Sequence, residues 1–146
     1  MTEHPTISLD DFPARSHDKL RYGDTDRQGH VNNAVFATLL ETGRVEILRA
    51  PTASGGSLTE DGREWVLARL SLDFLGEMLW PGRVEVGTRV ERIGRTSVGM
   101  EQALFQEGRL VARAETVIVQ TDQQTRRPAP LSDAVRERFG ELRPST

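Results

Sequence analysis

The hydrophobic pattern of the chain changes its period several times, and each period predicts a different element. The strictest alternation covers residues 83–93, where one face carries Val84, Val86, Thr88 and Val90 and the other Arg83, Glu85, Arg89 and Glu91. Such alternation is typical of a strand with one buried face. Further strands are predicted over residues 16–22, 64–75, 97–106 and 110–120, and Glu107-Gly108-Arg109 predicts a tight hairpin between the last two.

A helical period replaces the alternation after Asn33. Apolar residues recur three and four positions apart over about four turns, at Phe36, Leu39, Leu40, Gly43 and Ile47, and Pro51 ends the pattern. Gly43 costs about 1 kcal/mol of helix propensity relative to alanine, so we expect the helix to lie close to a sheet there. The small residues 52–57 then predict a loop that could act as a mobile flap.

The order of these elements indicates one α+β domain. A strand, a long helix and four mostly antiparallel strands fit a single curved sheet wrapped around the helix. The 146 residues, of which 36% are hydrophobic, suffice for one core. We therefore expect one domain over residues 1–146, with a loosely tied N-terminal arm over residues 1–15 and a short C-terminal helix within residues 131–140.

Composition narrows the possible partners and environments. A net charge of −3 gives no general attraction for nucleic acid or anionic lipid. The absence of cysteine excludes disulfides, thiolate metal sites and a cysteine nucleophile, and it fits a cytoplasmic protein. No leader and no membrane span are predicted, because the first residues are not apolar and no apolar run approaches ~20 residues.

The candidate chemistry is concentrated in residues 21–33. This stretch leaves the first predicted strand, passes Asp26, Gly29 and His30, and enters the long helix at the pair Asn32-Asn33. The free N–H groups at a helix start bind anions and developing negative charge. A carboxylate beside such a helix start is what hydrolysis of an acyl bond requires, because one group attacks or activates water while the other holds the carbonyl oxygen.

Each residue of this stretch also has a structural interpretation. Asp26 could cap its own turn, and turn capping is the better explanation for Asp24. His30 could fix the loop or line an acyl pocket; it could also act as a base, although the loop already supplies a carboxylate for that role. Asp24, Asp26 and His30 could together bind a hard metal ion, but no second cluster of ligands accompanies them, so we expect no metal.

Two further carboxylates are candidates outside this stretch. Glu41 lies on the long helix, where it could pair with Arg44 across one turn. It is also the second candidate for the catalytic carboxylate. Asp73 lies in an apolar strand, where a buried aspartate is usually a satisfied structural group.

Taken in order, several motifs resemble the hotdog-fold acyl-CoA thioesterases of the 4-hydroxybenzoyl-CoA thioesterase type. The matching segments are Arg21-Tyr22-Gly23-Asp24-Thr25-Asp26, Gly29-His30-Val31-Asn32-Asn33, Glu41-x-x-Arg44, Leu72-Asp73-Phe74-Leu75, Trp80-Pro81-Gly82 and Arg92-Ile93-Gly94-Arg95-Thr96-Ser97. No single segment is decisive, but the ordered set covers about residues 19–130. The resemblance implies the hotdog fold, a long central helix wrapped by a five-stranded antiparallel sheet.

The resemblance also implies an assembly and a site. Such enzymes pair sheets edge to edge, so we expect a homodimer or homotetramer with active sites at the subunit interface. The catalytic carboxylate falls on Asp26 and the oxyanion-binding N–H on Asn33, with His30 beside them. One position departs from the family, because the aromatic residue often found in the first helical turn is Phe36 here, so any role of a tyrosine hydroxyl at that place is lost.

The expected reaction is hydrolysis of an acyl-CoA to a free acid and CoA without a cofactor. Arginine binds phosphate well, and the family binds the CoA nucleotide near sheet edges. We therefore expect Arg95 with Ser97 to contact it, and Arg126 and Arg127 are the second candidates. Two alternatives stay open, a hotdog dehydratase or hydratase and a non-catalytic acyl-CoA binding domain. The sequence does not indicate which acyl group is bound.

Overall fold

The computed structural model describes residues 7–144. Its elements are two short 3-10 turns, Leu9–Asp11 and Tyr22–Asp24; five strands, β1 Ala14–Lys19, β2 Arg63–Phe74, β3 Arg83–Ile93, β4 Ser97–Gln106 and β5 Arg109–Asp122; and two helices, α1 Asn33–Arg49 and α2 Asp133–Gly140. The expected α+β architecture is confirmed.

The five strands form one antiparallel sheet in the order β1-β3-β4-β5-β2. The bounds of β3 and β4 are those that the alternation predicts. Strand β1 was predicted two residues too late at its start and three too late at its end, because Tyr22–Asp24 leave the extended conformation as a 3-10 turn. The β4–β5 hairpin turns at Glu107 and Gly108, which both have positive φ.

Helix α1 lies on one face of the sheet, over β1, β3 and β4. A Cβ atom at Gly43 would lie 2.7 Å from Val86 Cγ1, so the glycine permits the expected close approach of helix and sheet. The main core lies between them and includes Leu20, Phe36, Leu40, Val84, Val86 and Leu104. We call the sheet face under α1 the inner face and the opposite one the outer face.

A polar cluster lies in the middle of the inner face. The expected Glu41–Arg44 ion pair does not form; Arg44 is buried and donates to Gln102 Oε1 at 3.1 Å. Gln102 in turn donates to Leu40 O and to Thr88 Oγ1. Burial lowers the pKa of Arg44, although the nearby charge of Glu41 opposes that effect. The cluster connects the middle of α1 to β3 and β4.

The expectation of a loose arm over residues 1–15 is wrong for its described part. Phe12 is fully buried on the outer face, where its ring packs at 6.1 Å from that of Phe105 and under the guanidinium of Arg89. Arg15 belongs to β1 rather than to the arm. Residues 1–6 of the arm lie outside the described residues.

The glycine-rich loop after α1 is a hydrogen-bonded turn rather than a free flap. Thr52 N donates to Gly56 O, and Thr52 Oγ1 donates to Gly55 O. Arg138 of α2 donates to Ser57 O at 2.7 Å and so holds the end of the loop. Helix α2 begins after its N-cap Ser132 and packs Phe139 against Trp65, which closes this end of the inner face.

Candidate active site

The candidate site is built on the connection between β1 and α1. An isolated bridge pairs Thr25 with Val31, and Asp26 N donates to His30 O at 2.8 Å, so the chain reverses between them. Gly29 takes a φ of +79° within this reversal. Asn32 N then donates to Asp24 O. These bonds hold the Asp26 loop against the start of α1, as the sequence predicts.

Asp24 has the structural role expected for it. The residue is 6% exposed, and its carboxylate accepts hydrogen bonds from Arg21 N at 2.8 Å and Arg21 Nη2 at 3.1 Å. The backbone bond is the main cause that lowers the pKa of Asp24; burial opposes it, and the guanidinium of Arg21 adds to it. Asp24 therefore anchors the start of the loop as a buried anion.

Asp26 is exposed, and only one of its carboxylate oxygens is engaged. Oδ1 accepts from Gln28 N at 2.8 Å and from His30 N at 3.2 Å. These are the turn-capping bonds of the structural interpretation. Oδ2 accepts no hydrogen bond within residues 7–144. The turn thus holds the carboxylate in one orientation and leaves one oxygen open to solvent.

The start of α1 presents a free donor beside this loop. Asn32 is the N-cap, and its side chain accepts from Ala34 N at 3.0 Å. Asn33 is the first helical residue, so its N–H has no acceptor within the helix. Across the described part of the chain it finds no other acceptor either. The exposed N–H of Asn33 can therefore donate to a negatively charged oxygen.

His30 connects the loop to the segment before β3. Its Nε2 lies 3.6 Å from Glu77 Oε2, and His30 also forms a backbone bridge with Leu79. The next residue, Val31, donates its N–H to Met78 O. Sequence patterns did not indicate Glu77, because the residue lies about fifty positions from the loop that it contacts.

Arg95 and Ser97 lie far from Asp26 within one chain. Asp26 follows the end of β1, beside the start of β3 at Arg83. Arg95 is exposed in the turn at the other end of β3, which is roughly 30 Å away because eleven strand residues each advance about 3.3 Å. The structure brings Asp26, His30 and Asn33 together, but it places Arg95 and Ser97 at the opposite end of the sheet.

A cavity of about 710 Å³ lies at this opposite end, between the end of α1 and the start of β2. Its apolar wall includes Val45, Leu48 and Trp65, and Arg49 lies on its rim. Arg49 forms no ion pair within the described residues. Sequence reasoning did not predict this cavity or the place of Arg49 in it. The residues that line the cavity come mainly from α1, the loop after it and β2, and only the structure shows that they meet.

The other carboxylate candidates are not part of this arrangement. Glu41 is exposed on α1, two turns beyond Asn33. The interpretation of Asp73 as a buried group is wrong: it is exposed on the outer face, opposite Arg113 in the register. Within residues 7–144, no three His, Asp or Glu side chains are arranged to hold a metal ion.

Two aromatic pairs near the Asp26 loop were not expected. The rings of Phe36 and Phe74 meet edge to face at 5.0 Å, which brings the first turn of α1 into contact with the end of β2. The rings of Tyr22 and Trp80 meet in the same way at 5.2 Å, and both are exposed. Tyr22, Phe74 and Trp80 therefore expose apolar surface at the end of the sheet that carries Asp26.

Strand β2 is an edge of the sheet along its whole length. Val66, Leu67 and Phe74 on this strand are each more than 40% exposed. A long apolar edge with unpaired backbone groups is a template for pairing with another strand.

The two described helices fall short of the length and apolarity that a membrane span requires.

Comparison with known proteins gives one family. The profile of the Thioesterase-like superfamily matches residues 20–139. Among solved structures, a thioesterase from Thermus thermophilus, complexed with coenzyme A and Zn, is 34% identical, with a TM-score of 0.74 over 88% of this chain and 98% of that chain. A predicted thioesterase from Bacillus stearothermophilus is 30% identical, with a TM-score of 0.78 over 90% and 98%.

A curated relative is more distant. The chain is 29% identical over 126 residues to a chloroplastic acyl-acyl carrier protein thioesterase of Arabidopsis thaliana. The match covers 84% of this chain and 65% of that protein.

Proposed function

This chain belongs to the Thioesterase-like superfamily, and on that premise we propose that it hydrolyses the thioester bond of an acyl-CoA to a free acid and CoA. The observation that carries the proposal is the pairing of an exposed, oriented carboxylate at Asp26 with a free backbone donor at Asn33. The coenzyme A in the Thermus thermophilus structure supports CoA as the carrier of the acyl group.

Asp26 supplies the carboxylate for the reaction. Its Oδ1 is held by two backbone N–H groups, so Oδ2 is the oxygen that meets the substrate. As a general base, Oδ2 takes a proton from water while the water oxygen bonds to the thioester carbon. As a nucleophile, Oδ2 bonds to that carbon itself, and water cleaves the resulting anhydride. Both routes release the thiolate of CoA, which then takes up a proton.

The N–H of Asn33 stabilises the oxygen of the thioester carbonyl as negative charge develops on it. The positive end of the α1 dipole points in the same direction. A donor of this kind typically lowers the barrier by about 3 kcal/mol. Because the donor belongs to the backbone, the asparagine side chain itself is dispensable for this step.

His30 is proposed to support this geometry rather than to transfer the proton. Its backbone N–H donates to Asp26 Oδ1, and its ring Nε2 lies 3.6 Å from Glu77 Oε2. These contacts tie the Asp26 loop to the segment before β3. We therefore assign His30 the role of positioning Asp26 relative to the start of α1.

The site is proposed to be completed by a second copy of the chain. Two β2 edges that pair antiparallel about a two-fold axis form a closed dimer. This pairing carries the Arg95 end of one subunit toward the Asp26 end of the other. Arg95 and Ser97 of the partner copy could then meet the phosphates of a CoA whose thioester lies at Asp26. A homotetramer would join two such dimers through a second surface.

The test is thiol release measured with a thiol reagent. The purified chain is incubated with acetyl-, butyryl-, octanoyl-, dodecanoyl- and benzoyl-CoA, and with octanoyl acyl carrier protein. We expect release from at least one acyl-CoA, with kcat/KM above that for the carrier protein. Thiol release from the acyl carrier protein alone would show that the acyl group is carried by that protein rather than by CoA. A folded protein that releases no thiol from any substrate would contradict the proposed function.

A further inference from the structure

The inner face of β2 carries an apolar stripe that begins at the candidate site. The register places Leu70, Leu72 and Phe74 on this face, opposite Thr116, Ala114 and Ala112 of β5. The residues between them on the outer face are Ser71 and Asp73. The strand is therefore polar on the outer face and apolar on the inner face over its last residues.

Phe74 is the member of the stripe nearest to the proposed chemistry. Its ring contacts that of Phe36, which lies in the first turn of α1, three residues after Asn33. Phe36 is buried, whereas Phe74 is 49% exposed. Phe74 therefore offers exposed ring surface beside the first turn of α1, which begins at Asn33.

The stripe is continuous with the site because α1 lies over β1, β3 and β4 and leaves the inner face of β2 less covered. Leu70 and Leu72 are half-buried and pack against the main core. No charged side chain interrupts the inner face between Leu70 and Phe74. This surface fits an aliphatic acyl chain several carbons long, and it offers nothing to the short acetyl group beyond Phe74.

We propose that Phe74 is a specificity-determining residue that binds the acyl chain beside the thioester, and that the substrate carries an aliphatic chain of several carbons. This proposal rests on the proposed thioesterase function. A second copy of the chain is the other occupant that could cover Phe74, and a matched variant separates the two. Val66 is also 49% exposed on β2, but the register places it on the outer face, opposite Val119.

The experiment compares kcat/KM for octanoyl-CoA and acetyl-CoA in the wild type, Phe74→Ala, Phe74→Leu and Val66→Ala, with sedimentation of each protein. We expect the wild type to prefer octanoyl-CoA at least tenfold. Phe74→Ala should lower that preference about tenfold, as lost methylene contacts do in apolar pockets. Phe74→Leu should retain most of the preference, and Val66→Ala should leave it unchanged.

Three results would overturn the proposal. One is a wild type that hydrolyses acetyl-CoA as well as octanoyl-CoA. Another is a Phe74→Ala protein that keeps the wild-type preference for octanoyl-CoA; if its dimer also dissociates, Phe74 is only a subunit contact. The third is an equal loss of preference in Val66→Ala. A folded wild type without activity on any acyl-CoA would instead contradict the proposed thioesterase function, on which the proposal for Phe74 rests.

Discussion

The two ends of the sheet differ in what they offer a substrate. One end carries the Asp26 loop, the free N–H of Asn33 and the exposed rings of Phe74 and Trp80. The other carries the Arg95 turn, helix α2 and the cavity rimmed by Arg49. The first end holds groups suited to an acyl thioester together with the exposed cation Arg27, and the second holds Arg95, which is proposed to contact phosphate.

The separation of the two ends has a structural consequence. A CoA thioester has its phosphates and its acyl bond in one molecule, yet Arg95, the proposed phosphate contact, lies roughly 30 Å from Asp26 within one subunit. Two subunits paired antiparallel at β2 bring unlike ends together. The comparison therefore favours a site that draws on both copies, and each prediction below changes one end or the sheet between them.

The largest effect is expected from Asp26→Asn. The asparagine oxygen can still accept the N–H groups of Gln28 and His30, so the loop should keep its shape while the basic oxygen is lost. We expect kcat to fall about a thousandfold, within the range of a lost general base, with an unchanged circular dichroism spectrum. Glu41→Gln is the matched control, and a larger loss there would move the catalytic carboxylate to the helix.

A change of the backbone donor should have the next largest effect. Asn33→Pro removes the N–H at a first helical position, where proline is tolerated. Asn32, which precedes it, is already extended with φ −61° and ψ 140°, as a residue before proline must be. We expect kcat to fall about a hundredfold. Asn33→Ala keeps the N–H and should retain most activity; equal losses in both variants would refute the oxyanion role.

A substitution in the sheet between the two ends should lower the stability of the fold and leave catalysis unchanged. Glu101 is 3% exposed on β4 and is held by Arg113 at 2.9 Å and by Arg89 on the neighbouring strands. Glu101→Gln leaves both guanidinium groups without their carboxylate. We expect the free energy of unfolding in urea to fall by about 2 kcal/mol, while KM at neutral pH stays unchanged. A changed KM in Glu101→Gln would show that Glu101 and its two arginines also act on the site.

The same cluster predicts a pH dependence. Burial alone would raise the pKa of Glu101, but the hydrogen bond from Arg113 and the charges of Arg89 and Arg113 leave it below the ordinary value. The stabilisation is therefore complete above pH ~4.5, the ordinary glutamate range, and is lost as the pH falls through the lowered pKa. The difference in stability between wild type and Glu101→Gln should shrink below about pH 4; a constant difference would contradict the ion pairing.

The smallest effect is expected at the far end. Arg95 is exposed, and a charge-assisted contact to phosphate from such a side chain is modest. Arg95→Ala should raise KM for octanoyl-CoA about fivefold and leave kcat nearly unchanged. The octanoyl pantetheine thioester, which has no nucleotide, is the control substrate and should show no change. An equal rise in KM for both substrates would contradict the proposal that Arg95 contacts the phosphates.

Sequence reasoning succeeded where the pattern is local. The alternation of residues 83–93 matched the bounds of β3, and Gly43 indicated the close approach to Val86. The Asp26 loop was also predictable, because its turn, its cap and its helix start are consecutive.

Features that depend on long-range geometry were not predictable. The register shift between Leu67 and Arg69 moves the inner-face positions of β2 from odd to even numbers, so Phe74 cannot be assigned to the site by counting along the strand. Arg44 looks like a surface partner for Glu41, yet Gln102 satisfies it in the core. The distance between Arg95 and Asp26 depends on the whole length of β3.

Mixed dimers test the central claim most directly. Asp26→Asn and Arg95→Ala subunits are combined in equal amounts, and KM for octanoyl-CoA is measured on the mixture. If one site uses Asp26 of one copy and Arg95 of the other, each mixed dimer holds one intact site, so about a quarter of all sites should show the wild-type KM. If every active site in the mixture keeps the raised KM of Arg95→Ala, the shared site is contradicted.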